Sequence, residues 1–332
     1  QGVIGMLAKR LRLSTNTGSA QEVQNVTESV KQSPLMANWL EMAAKVDTPK
    51  EGEVKIAVVG KYVDHGDAYL SVVKALTHAA IATDQRLSIE WIEASQLSQA
   101  SSHSDGSNNN TWSRLKSCHG IVVPGGFGER GLEGKIAAIQ YARLEGVPFL
   151  GICLGMQAAV IEYARHVLGR EGAHSAEFVK QGDEMKEGDD VVIFMPEGDR
   201  ERMGGTMRLG ARETILKPNS LTYQLYSRSK IMERHRHRYE VNPSVVPFLE
   251  EKGLRFVGRN TDGSGERMEV IELSESAHPY FIGTQFHPEF TSRPGGPNPV
   301  FLGLLERSKL FKDEVGRNND EIVEGENLGN ED

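Results

Sequence analysis

Pro148-Phe149-Leu150-Gly151-Ile152-Cys153-Leu154-Gly155-Met156-Gln157 places a cysteine between an apolar run and the first turn of a helical pattern. The apolar run reads as a buried strand. Gly-x-Cys-x-Gly is then the cysteine counterpart of the strand–turn–helix nucleophile elbow Gly-x-Ser-x-Gly. Such a turn strains the backbone of its central residue, and Gly151 and Gly155 leave the room it needs. It also sets the sulfur at a helix N-terminus, where the positive dipole end favours thiolate. An ordinary cysteine pKa of about 8.5 falls to roughly 3.5–7.5 in such settings. A free cysteine is more often a small buried hydrophobe. Cys118, which opens a strand in Ser117-Cys118-His119-Gly120 without an elbow, is read that way. Cys153 is read as a nucleophile.

Working outward, strand and helix patterns alternate. Val54-Lys55-Ile56-Ala57-Val58-Val59-Gly60 is a buried-strand run that stops at a glycine, followed by an amphipathic helix over 69–83 and a strand over 87–92. Strands at 120–123 and 147–152 alternate with helices at 132–145 and 154–168. Further strands are expected at 191–195, 255–259, 268–273 and 280–285, with a last helix from 299 to about 310. This alternation predicts an α/β fold, an open, mostly parallel sheet with helices on both faces, whose ligands gather at the C-terminal ends of the strands. Residues 96–111 are Ser/Asn-rich and read as an exposed insertion. Residues 1–50 read as a connector, with helical spacing of Leu35, Trp39, Leu40 and Ala43 inside it. One domain is therefore expected over 51–312, and the acidic stretch 313–332 is expected to be a disordered tail.

Composition narrows the function. With 332 residues, 38% hydrophobic and 25% charged, the chain has ample material for a core. A formal charge of −8 argues against a general nucleic-acid binder, which needs a basic surface to neutralise phosphates. No apolar run approaches the roughly 20 residues that span a bilayer. Two cysteines outside any Cys-x-x-Cys pair suit free thiols in a reducing cytoplasm better than a disulfide framework. Asn25-Val26-Thr27 and Asn109-Asn110-Thr111 match the glycosylation pattern, which carries no meaning there. The start at Gln1-Gly2-Val3-Ile4, without Met or signal pattern, reads as an internal cut of a longer protein.

A thiolate nucleophile needs a nearby histidine, and that histidine needs a group to fix its tautomer. Of ten histidines, His287 in Thr284-Gln285-Phe286-His287-Pro288-Glu289-Phe290 has the best setting, at the end of an apolar strand. An extended backbone points His287 and Glu289 to one side, and Pro288 biases His287 toward that conformation. His278-Pro279 lacks the acid and receives no role. The run Arg234-His235-Arg236-His237-Arg238 reads as a solvated basic strand. A metal role for its histidines is set aside, because adjacent arginines oppose a further cation.

Taken together, Pro124-Gly125-Gly126, the elbow and His287-Pro288-Glu289 resemble the three signatures of class I, triad-type glutamine amidotransferases. Gly125-Gly126-Phe127-Gly128, Tyr163-Ala164-Arg165-His166, Met203-Gly204-Gly205-Thr206-Met207-Arg208-Leu209-Gly210 and Glu233-Arg234-His235-Arg236-His237-Arg238-Tyr239-Glu240-Val241-Asn242 resemble, within that class, the glutaminase half of the CTP synthase family. The resemblance spans residues 54–310 and implies a flavodoxin-like sheet and glutamine hydrolysis by Cys153, His287 and Glu289. It further implies oxyanion donors at the amides of Gly126 and Leu154, and glutamine contacts at Gly125, Phe127, Gln157, Glu177 and Arg238. Opposite charges suit the substrate, with Arg238 for its carboxylate and Glu177 for its ammonium. The family usually shows Asn-Ser-x-Glu at that acid, where this chain has His174-Ser175-Ala176-Glu177. Arg130, Gly131 and Glu133 fall where the family has a lid linked to GTP, an expected allosteric effector.

The resemblance gives this domain no cofactor or metal. ATP and Mg belong to the family's synthetase half, which aminates UTP. No Gly-x-x-x-x-Gly-Lys-Ser/Thr loop occurs in this chain. Residues 1–50 then resemble the end of that half and its linker, and the full-length family implies a homotetramer. Two other readings are a glutaminase of a different class I enzyme and a catalytically silent assembly domain.

Overall fold

The computed structural model describes residues 34–61, 63, 66–98, 107–179, 188–195, 207–261 and 265–328. The expectations for 1–33, for 99–106 of the insertion, for Met203-Gly204-Gly205-Thr206 and for the last four residues lie outside them. The chain divides into two compact units, Gln1–Lys50 and Glu51–Asp332. In the first, helix α1 (Pro34–Asp47) begins at a proline, which needs no N–H there, and carries a Glu41–Lys45 pair at 3.0 Å one turn apart.

The second unit opens as β1 (Glu53–Gly60), α2 (Leu70–Ala82), β2 (Arg86–Glu93), α3 (Ala94–Ser98), α4 (Ser107–Lys116), β3 (Gly120–Val123), α5 (Leu132–Glu145), β4 (Phe149–Ile152) and α6 (Leu154–His166). It continues with β5 (His174–Ser175), β6 (Asp190–Phe194), β7 (Arg208–Leu216), α7 (Leu221–Tyr226), β8 (Lys230–His237), β9 (Tyr239–Val241) and α8 (Val246–Glu251). The last elements are β10 (Arg255–Thr261), β11 (Glu266–Glu272), β12 (Phe281–Thr284) and α9 (Pro299–Leu328).

Nine strands form one sheet in the order β2-β1-β3-β4-β12-β11-β10-β7-β8. The first five are mutually parallel, and the other four continue the sheet antiparallel. A smaller sheet pairs β5, β6 and β9. The strand period of two divides β1 between two cores. Ala57 and Val59 pack with Ile136, Ile139 and Val160 of α5 and α6, whereas Ile56 and Val58 pack with Leu76 of α2 and Phe301 and Leu304 of α9. Each of the larger of these side chains, fully withdrawn from water, contributes about 1.5–3 kcal/mol. Burial on both faces explains why these strands read as continuous apolar runs. Among the described residues, no helix is long and apolar enough to cross a membrane.

Three expectations need correction. The stretch around 96–111 is not simply exposed: Leu97 and Thr111 are buried, and the Thr111 hydroxyl donates to Gln96 Oε1 at 2.9 Å. The last helix is longer than the expected end near 310: it continues to Leu328, although residues 313–328 carry two glycines, three asparagines and little apolar pattern. The basic strand β8 is solvated on one face only. Its alternation buries Ile231, Glu233, His235 and His237 while Arg234 and Arg236 face out.

Candidate active site

Four parallel strands deliver the site from their C-terminal ends. Lys61 follows β1, the loop Gly125–Gly128 follows β3, Cys153 follows β4 and His287 follows β12. Cys153 adopts φ 53° and ψ −102°, a strained conformation for a residue with a side chain. Its N–H donates to the Thr284 carbonyl at 2.6 Å, and its carbonyl accepts from Gln157 N–H at 3.1 Å, so strand and helix hold the turn from both sides. The glycines answer to backbone contact. A Cβ on Gly155 would overlap the Val123 carbonyl, and one on Gly151 would lie 2.7 Å from the Gly155 carbonyl oxygen. Leu154 opens α6, so its N–H has no partner within the helix.

His287 Nδ1 lies 2.8 Å from Glu289 Oε1. The pair does not form along an extended strand. Pro288–Phe290 is a 3₁₀ turn, which folds the carboxylate back under the ring. The turn is pinned from β8: His287 N–H donates to the Arg234 carbonyl at 2.8 Å, and Thr291 Oγ1 donates to Glu233 Oε2 at 2.8 Å. His287 Nε2 is buried and makes no hydrogen bond among the described residues. A Cβ on Gly125 would lie 2.8 Å from His287 Cε1 and 3.5 Å from Cys153 Cβ, so that glycine is the gap across which ring and thiol approach. Burial pulls the imidazole pKa down, but the adjoining Cys153 thiol and Glu289 carboxylate outweigh it and raise it to about 10.

The cleft beside the sulfur opens to solvent and spans about 330 Å³. Gly126, Phe127, Leu154, Gln157, Glu177 and Arg238 line it together with Cys153, so the oxyanion and substrate candidates converge on one space. Glu177 Oε1 accepts the Gly128 N–H at 3.2 Å, and burial raises its carboxyl pKa. Lys61 Nζ donates to the carbonyls of Phe127, at 2.5 Å, and Gly128, at 2.9 Å, bracing the glycine loop. Gln157 Nε2 is committed to Tyr239 O at 2.9 Å and Gln285 Oε1 at 3.1 Å, which leaves its oxygen for a ligand. Arg130, Gly131 and Glu133 do not line the cleft. Gly131 caps α5 with φ 79°, Arg130 lies 3.7 Å from Glu93, and Glu133 pairs with Arg165 at 2.8 Å.

Sequence reading missed several neighbours. Arg236, His237 and Tyr239 also line the cleft. The Arg236 guanidinium sits 6.0 Å from the exposed Phe127 ring. Gln285 Nε2 lies 3.6 Å from Cys153 Sγ; its place two residues before His287 was the available signal. Beneath the cleft, His235 Nδ1 lies 3.2 Å from His237 Nε2 and 3.4 Å from Glu269, which in turn pairs with Arg208 at 3.4 Å. The two histidines and Glu269 could face one ion, but the Arg208 cation shares that carboxylate. Burial first, with Arg208 adding to it, holds His235 and His237 neutral, at about 2 and 3.

The class I glutamine amidotransferase family model matches residues 65–307. The chain is 46% identical over 316 residues to a CTP synthase of Dictyostelium discoideum, covering 93% of this chain and 53% of that protein. To the CTP synthase of Methanopyrus kandleri it is 49% identical over 275 residues, covering 82% and 48%. It thus spans about half the length of the curated relatives it matches. Among solved structures it is similar to the Trypanosoma brucei CTPS glutaminase domain with bound acivicin, at 38% identity and a TM-score of 0.67, covering 77% of this chain and 93% of that one.

Proposed function

The chain belongs to the class I glutamine amidotransferases, and from that premise we propose that it is the glutaminase part of a CTP synthase. The observation that carries the reading is the elbow cysteine facing a His287–Glu289 pair across Gly125, at the mouth of one cleft. The family itself is the plain finding; the nucleotide chemistry is inferred from relatives twice as long.

In the proposed reaction, the Cys153 thiolate attacks the side-chain amide carbon of glutamine. A C–S bond forms, and the negative charge passes to the carbonyl oxygen, where the amides of Gly126 and Leu154 donate to it. The His287 imidazolium gives its proton to the amide nitrogen, the C–N bond breaks and ammonia leaves. Water then attacks the γ-glutamyl thioester while His287 takes its proton. The C–S bond breaks, and glutamate departs with thiolate and imidazolium restored. Arg238 holds the substrate carboxylate and Glu177 its ammonium; Phe127 lines the cleft, and Gly125 meets the substrate from its place between the His287 ring and Cys153. Ammonia then serves the amination of UTP to CTP in an ATP- and Mg-dependent synthetase part, within a cytoplasmic homotetramer. GTP acts as effector through the segment of Arg130, Gly131 and Glu133.

A glutamine-like electrophile should modify Cys153 alone, and Cys153→Ala should abolish ammonia release while retaining the fold. Modification elsewhere would sink the mechanism, and a cleft inert to the reagent would favour a silent assembly domain. Assaying ammonia and CTP with and without GTP, and with a synthetase part supplied, tests the wider reading.

A further inference from the structure

Lys135 stands in the first turn of α5 and is 2% exposed. A lysine is almost never so enclosed without a purpose for its charge. Helical side chains lean back toward the helix N-terminus, and this one reaches the back of the glycine loop. Its Nζ lies 3.7 Å from the point a Gly126 Cβ would occupy. Gly126 is the loop residue whose amide is assigned to the oxyanion.

The loop already has its braces. Lys61 binds the carbonyls of Phe127 and Gly128, and Glu177 accepts the Gly128 N–H. The charges that act on Lys135 are Lys61, which opposes its ammonium, and Cys153, Glu93 and Glu177, which favour it through space. Burial, the largest effect, and Lys61 leave it poised at about 8. Cys153 comes first among the groups that favour the charged form, and such coupling is reciprocal. What the thiolate does for the ammonium, the ammonium does for the thiolate. In an enclosed space that attraction is little screened.

Building on the glutaminase reading, we propose that Lys135 is a positioning residue of the site: its enclosed ammonium behind Gly126 favours the Cys153 thiolate and the oxyanion that follows it. The charge is set before the substrate arrives, which is how preorganised electrostatics lowers a barrier.

The test uses the full chain and its Lys135→Met variant, which keeps the volume and removes the charge. Carbamidomethylation of Cys153 by iodoacetamide is followed by peptide mapping from pH 5 to 9. Cys118 stays silent, because burial pushes its thiol up to about 12. The variant should alkylate roughly three- to tenfold more slowly at neutral pH, with its profile displaced to higher pH. It should turn over glutamine roughly tenfold more slowly with KM within about twofold. A folded variant whose alkylation profile superimposes on the parent's overturns the proposal even if turnover falls, since a purely structural lysine would give that result. Should Lys135→Met fail to fold, ¹⁵N NMR of the lysine Nζ groups decides the matter in the unsubstituted chain. The Lys135 midpoint should drop once Cys153 is carbamidomethylated, and a midpoint that stays overturns the proposal. Alkylation needs no glutamine, so a chain inert to glutamine counts against the glutaminase reading alone.

Discussion

At the scale of single residues, the cleft is a problem in where one proton rests. His287 carries it at neutral pH because a thiol and a carboxylate flank the ring. In the proposed reaction the charge of the attacking sulfur moves to the carbonyl oxygen, one of the two supports is lost, and the imidazolium becomes acid enough to protonate the leaving nitrogen. Glu289→Gln removes the other support. The His287 midpoint, about 10 in the parent, should then fall when followed by ¹³C NMR of its ring, and kcat should drop by roughly 10²–10⁴. The sign for stability follows from the same shift. A histidine raised in the fold above its unfolded value of about 6.5 stabilises fully below that pH. The gap in unfolding free energy between parent and Glu289→Gln should therefore be widest near pH 6 and close as pH climbs through 10. Gly125→Ala tests the gap itself. A methyl 2.8 Å from His287 Cε1 must push the ring away from the sulfur, so ammonia release should fall at least tenfold with little change in the melting curve.

At the scale of elements, strand ends and glycines do the positioning. Gly155→Ala sets a methyl against the Val123 carbonyl, a backbone atom of β3 that cannot step aside. It should destabilise by roughly 3 kcal/mol or more in urea unfolding, whereas Ala at the exposed Gly169 should change little beyond the cost of its φ of 80°. Much of this level was legible in the chain. The helix over 132–145 and the strand over 120–123 match their observed bounds, because glycines mark their ends: Gly131 and Gly146, both at positive φ, bracket the helix, and Gly120 opens the strand. The elbow was legible because its glycines answer to backbone contacts that no other residue tolerates. The 3₁₀ turn beneath His287 was not, since Pro288 suits an extended and a helical start equally well. Nor was the buried face of β8, where Glu233, His235 and His237 occupy positions that a hydrophobic pattern reserves for apolar residues. Their burial depends on partners far along the chain: Tyr226, Thr291 and Asn298 for Glu233, and Arg208 and Glu269 for His235. No local window contains both sides of such a network. The same holds for Lys135, which reads as one more helical lysine until the glycine loop is folded over it.

At the scale of the whole molecule, the fold keeps many imidazoles out of water, and that sets its response to acid. Burial lowers the pKa of His78, His119, His174, His235, His237 and His278. Unfolded, each titrates near 6.5. Below that pH the unfolded chain binds protons the native chain refuses, so stability falls as pH falls. For His235 and His237 the window is wide, from about 6.5 down to about 2 and about 3 respectively. Each refused proton costs about 1.4 kcal/mol per pH unit, so these two alone give a slope of roughly 3 kcal/mol per unit in the middle of that window. Glu177 and Glu233, whose carboxyls are raised by burial, hold protons longer in the fold and offset part of this below their raised values. Urea unfolding between pH 7 and 5 should therefore show a steep loss of stability well above the usual carboxylate range. His237→Gln retains the volume and a group able to donate to Tyr239 O, the partner of His237 Nδ1 at 3.1 Å, while removing one titration. It should flatten the slope by about one proton. An unchanged slope would mean that the pair is hydrated or already protonated. In that case the neutral, dehydrated state assigned to the two histidines beneath the cleft would have to be given up.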